Sequence, residues 1–201
     1  MYRRKVRACA RGSQNSISAS VAKQVLLLID WDNLFISLYE HFGAKEMRIE
    51  KKLEMIVRWV KEEIGELLGG YGFVFAPEHL AVLHQQSCVD NGLRIVICPK
   101  RPLEKPKRNL KTGDLIEVED TVDETIIWFT KTMMRHPNFG FLCLVTGDSD
   151  YIPLLKEVER YSIKRALVFP TRRCLSESKE LVRLADKHPK TLKIMRLRLD
   201  T

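Results

Sequence analysis

Two short acidic runs carry most of the chemistry written in this chain. Asp30-Trp31-Asp32-Asn33 follows the apolar run Val25–Ile29, and Thr146-Gly147-Asp148-Ser149-Asp150 follows the apolar run Phe141–Val145. In each, a pair of carboxylates stands where a buried strand ends and a helical pattern begins. Aspartates gathered without histidine or cysteine are hard oxygen donors, suited to Mg²⁺ or Mn²⁺. Like charges packed together repel, and burial disfavours their ionised form, so such a cluster calls for a cation. A divalent ion held there can polarise a phosphate oxygen and lower the pKa of a bound water.

A third acid belongs with these two runs. Asp123 precedes Ile126 and Ile127 by three and four residues and Thr130 by seven. It therefore continues the buried stripe of a helix at its first turn, where it faces the sheet. Glu124 falls off that stripe. Asp30, Asp123, Asp148 and Asp150 are the expected metal-binding and catalytic residues. Asp32, Asn33, Thr146 and Ser149 are expected to support them, by binding or by capping the helices that follow. None of the five histidines adjoins an acidic run.

These acids need a scaffold that brings distant segments to one rim. Strands are expected at 24–30, 72–76, 93–98, 141–146 and 163–169, with a short last one at 192–197. Helices are expected at 34–41, 49–68, 78–90, from a Thr121–Glu124 capping box onward, at 151–160 and at 176–187. Strands alternating with helices predict an α/β fold with a mainly parallel central sheet and helices on both faces. The doubly wound order 3-2-1-4-5 would set the first and fourth strands side by side, their carboxyl ends flanking the switch point where such sheets bind ligands.

Residues 1–22 carry five cations and no acid, and are expected to form a disordered basic arm on a single domain spanning 23–201. The chain as a whole has a formal charge of +8, which suits a polyanionic partner. Residues 99–118 read as a long basic loop with three prolines. Lys100 and Arg101 after the third strand, and Arg172 and Arg173 after the fifth, are candidate contacts for RNA phosphates. No apolar run approaches the ~18–20 residues that cross a bilayer, so no membrane partner is expected. The five scattered cysteines form no zinc pattern and suggest reduced thiols in the cytoplasm.

The strand running into Asp30-Trp31-Asp32-Asn33, the helix start Val122-Asp123 and the segment Thr146-Gly-Asp-Ser-Asp-Tyr-Ile-Pro-Leu-Leu155 together resemble the NYN family of PIN-like nuclease domains. Ser176–Asp186 is similar to that family's closing helix. The resemblance implies a Rossmann-like PIN fold, an acidic pocket for Mg²⁺ or Mn²⁺, and hydrolysis of RNA phosphodiesters, with endonuclease action expected. Many members carry a further Asp in the middle helix, where this chain has Ile127, Trp128 and Phe129. A catalytically weak RNA-binding or regulatory module is the alternative, and a homo-oligomer is a further expectation. A haloacid-dehalogenase-like phosphatase is a third reading, with Asp30 as nucleophile, Asp32 as acid and Gly147-Asp-Ser149 as metal segment. That pattern expects another Asp where Ile152 stands.

Overall fold

A computed structural model describes residues 23–46, 48–108, 113, 115–169 and 178–196. The expected arm at 1–22, and Arg172 and Arg173, lie outside them. Six parallel strands form the central sheet: β1 (Gln24–Asp30), β2 (Gly72–Pro77), β3 (Leu93–Cys98), then, after a hairpin, β6 (Phe139–Val145), β7 (Lys164–Phe169) and β8 (Leu192–Arg196). The hairpin strands are β4 (Lys100–Arg108) and β5 (Leu115–Asp120).

The sheet order is β3-β2-β1-β6-β7-β8. The expected parallel α/β class is the observed one. The order differs in detail, because β8 adds a sixth strand at the edge and the hairpin intervenes between the third and fourth sheet strands.

β1 is buried throughout, from Val25 to Asp30. A parallel strand covered on both faces has no solvent side, which is why it reads as an unbroken apolar run. Its side chains alternate between two cores. Val25, Leu27 and Ile29 meet α1 (Trp31–Glu46), α2 (Ile49–Glu63), α3 (Glu78–Leu83) and α4 (Gln85–Asp90). Leu26 and Leu28 face the layer of α5 (Val122–Met133), α6 (Ile152–Arg160) and α7 (Lys179–Lys187). Each fully buried leucine or isoleucine contributes roughly 1.5–3 kcal/mol.

Several expected boundaries are corrected. The helix from residue 49 ends at Glu63 rather than 68, because Leu67 instead bridges Val25 beside the sheet. The helix expected at 78–90 is two short ones, broken at His84 (φ −121°, ψ 15°), whose ring packs against Trp31 and Phe35. The basic loop at 99–118 is largely an antiparallel hairpin, with Lys100 opposite Asp120 and Arg101 opposite Glu119. Two strands apart from the main sheet have free outer edges, so Pro102 and Pro106 interrupt no central ladder. The capping box does not form. Thr121 Oγ1 donates to Pro99 O at 2.9 Å, and Glu124 is drawn to Arg101.

Among the described residues, Cys88, Cys98 and Cys143 are buried cysteines outside any disulfide. Also among them, no helix is long and apolar enough to cross a membrane.

Candidate metal centre

The register pairs Ile29 of β1 with Val145 of β6, so Asp30 and Thr146 leave the sheet at one level. From these two strands the chain order runs outward in opposite directions, which makes the gap above them the switch point. The third acid arrives by another route. Only Pro99 separates β3 from the hairpin, and β5 delivers the chain through Thr121 to the first turn of α5, which carries Asp123.

After β6 the chain turns through Thr146 and Gly147 into a 3-10 turn, Ser149–Tyr151, that leads into α6. Asp148 caps this turn, its Oδ1 accepting from Asp150 N at 2.9 Å. Thr146 Oγ1 accepts from Asp148 N at 3.2 Å, and Gly147 N donates to Asn33 Oδ1 at 2.7 Å. Gly147 O accepts from Ser178 N ahead of α7. The loop is thus braced from α1, from within itself and from α7, and it holds Asp148 and Asp150 in place.

Asp123, Asp148 and Asp150 converge: each offers a carboxylate oxygen, and the three oxygens lie within 4.8 Å of one another. An octahedral Mg²⁺ holds opposite oxygen ligands about 4.2 Å apart, so this all-oxygen set suits one partly hydrated divalent cation. The donor chemistry fits Mg²⁺ or Mn²⁺ and excludes a soft thiolate site.

Asp30 is adjacent but outside that trio. It is 3% exposed. Its Oδ1 accepts from Asn33 N at 3.1 Å, and its Oδ2 from Thr146 Oγ1 at 3.1 Å. Burial pushes its carboxyl up from 3.8 to about 7, and the charges of Asp123 and Asp32 add to the rise. The Asn33 and Thr146 hydrogen bonds oppose it. Asp32 lies in the first turn of α1.

Tyr151 was not among the expected site residues. Its hydroxyl stands 2.5 Å from Asp123 Oδ1 and 3.3 Å from Asp30 Oδ2, between the acid that ends β1 and the acid in the first turn of α5. Burial first, then those two charges, raise the phenol far above its ordinary value, so it keeps its proton. In the sequence it reads only as the start of a helix.

Of the candidate phosphate contacts, Arg101 is bound in a fork to Glu119 and Glu124, at 2.7 Å to each. Lys100 is exposed on β4 beside it. Trp31 is buried under Phe35 and His84, which makes it a packing residue.

Comparison with protein-family models, with curated proteins and with solved structures finds no match.

Proposed function

We propose that this chain is a Mg²⁺- or Mn²⁺-dependent ribonuclease, an endonuclease of the NYN type. One observation carries the reading: Asp123 of α5 and Asp148 and Asp150 of the turn after β6 converge at the carboxyl edge of a parallel sheet beside its switch point. Those three carboxylates would hold the cation, while Asn33 and Thr146 keep the loop of Asp148 and Asp150 fixed to β1 and α1. When bound, the cation supplies Lewis acidity toward a phosphodiester oxygen and an activated water. Asp30 lies beside the three carboxylates, held by Asn33 N and Thr146 Oγ1, and a bound cation would favour its carboxylate form. Exposed cations on β4, such as Lys100 and Lys105, would bind flanking phosphates without reading sequence.

A binding module with little or no catalysis draws support from the middle of α5. Ile127 and Phe129 pack into the core and Trp128 is 65% exposed, so that turn adds no further carboxylate. The burial of Asp30, with both oxygens hydrogen-bonded, counts against a phosphoryl-accepting nucleophile and so against the phosphatase reading.

The test is cleavage of a labelled single-stranded RNA in Mn²⁺ by the wild-type chain and Asp148→Asn. The nuclease reading expects cleavage by the wild type that EDTA abolishes and the variant lacks. Equal cleavage by both would exclude this site, and RNA retention without cleavage in either metal would favour the binding module.

A further inference from the structure

Tyr151 is fully buried and packs in the same core as Val122, Ile126, Leu154 and Leu155. A phenylalanine would fill nearly the same volume, so packing does not account for the hydroxyl. The polar tip of a buried tyrosine needs a partner, and here it has two carboxylates on offer. A phenol carries one donor proton. The 2.5 Å contact to Asp123 Oδ1 claims it over the 3.3 Å contact to Asp30 Oδ2. Asp30 is already supplied, with Asn33 N on one oxygen and Thr146 Oγ1 on the other.

We propose that Tyr151 is the positioning residue of the acidic site: its hydroxyl pins one oxygen of Asp123 so that the carboxylate meets Asp148 and Asp150 in a single orientation. The inference rests on the metal-site reading above. It adds that the site is preset before any ion arrives. The turn Ser149–Tyr151 carries both Asp150 and the hydroxyl that fixes Asp123, and Asp148 caps it. The chain segment that brings two of the oxygens therefore also sets the third. Hydrogen-bonding partners of metal ligands act in this way, restricting the orientations a ligand must give up on binding.

The experiment is a calorimetric titration of the metal-free chain with Mn²⁺, comparing wild type, Tyr151→Phe, Asp123→Asn and the double variant. Loss of the hydroxyl should weaken Mn²⁺ binding roughly 10–100-fold. Because Tyr151 acts through Asp123, the double variant should bind no more weakly than Asp123→Asn alone. Circular dichroism checks that Tyr151→Phe is folded. Binding by Tyr151→Phe within about twofold of wild type, or losses that add in the double variant, would overturn the role of Tyr151 and leave the metal site standing. A wild-type chain that binds no Mn²⁺ would overturn both. Should Tyr151→Phe fail to fold, the wild-type chain titrated with Mg²⁺ and read by tyrosine difference absorbance decides. A saturable change is expected, since the phenol shares its acceptor with the ion, and an unchanged spectrum at saturation overturns the proposal.

Discussion

Replacing Asp30 with Asn should stabilise the metal-free chain by an amount that grows with pH. Asp30 is 3% exposed, and its pKa rises from 3.8 to about 7 on folding, chiefly through burial. The folded chain therefore holds this proton more tightly than the unfolded chain does. The stability it contributes is fully present below the unfolded value of 3.8 and is lost as pH rises through about 7. One pH unit across that window is worth about 1.4 kcal/mol, so the full loss approaches ~4 kcal/mol. Asparagine cannot ionise, yet its carbonyl can still accept from Asn33 N and its amide can donate to Thr146 or Tyr151. Urea unfolding in EDTA, followed by tryptophan fluorescence from pH 5 to pH 8, measures the gap between variant and wild type. The gap should widen by about 3 kcal/mol over that range and level off above pH 7. Saturating Mn²⁺ should narrow it, because a nearby cation favours the carboxylate. A gap that stays flat with pH, or shrinks, would refute the burial argument for Asp30.

Asp148→Asn should separate stability from metal binding. Asparagine caps a helical turn as well as aspartate does, so unfolding free energy should move by no more than about 0.5 kcal/mol while calorimetric Mn²⁺ binding is lost. Arg165 is a structural counterpart far from the acids. It is fully buried, donating to Leu155 O, to Glu159 Oε1 at 2.6 Å and to Thr191 Oγ1, and so ties α6 to β7 and to the approach to β8. Arg165→Ala should cost on the order of 3 kcal/mol in urea unfolding, the lower end for breaking a buried pair, because Glu159 remains partly exposed and can be rehydrated.

The parallel sheet was legible because its inner strands are buried on both sides. Val25–Ile29 and Phe141–Val145 have no polar face to hide, and the acid or threonine that ends each run marks the carboxyl rim. Asp123 was legible because helical spacing placed it toward the sheet side of α5, where it stands half-buried beside the stripe of Val122, Ile126 and Thr130. The hairpin was not, because Lys100–Arg108 combines charges and prolines with no alternation of apolar residues. Its pairing comes instead from backbone bonds to β5 and from the Arg101 fork to Glu119 and Glu124. That fork also explains the absent capping box, since Glu124 has a stronger partner than a backbone N–H. Tyr151 escaped because its hydroxyl meets acids 28 and 121 residues away, contacts that no local pattern encodes. The place of Asp30 beside the trio rather than within it was hidden for a related reason. Ending a strand does not reveal which backbone and hydroxyl donors will occupy the carboxylate.

Diffraction from crystals grown in Mn²⁺, with the anomalous signal mapped near the manganese edge, tests the metal centre most directly. A single peak enclosed by the carboxylates of Asp123, Asp148 and Asp150, absent from Asp148→Asn crystals, is the expected result. Well-ordered carboxylates with no anomalous density between them at saturating Mn²⁺, or a manganese ion bound only elsewhere on the chain, would contradict it.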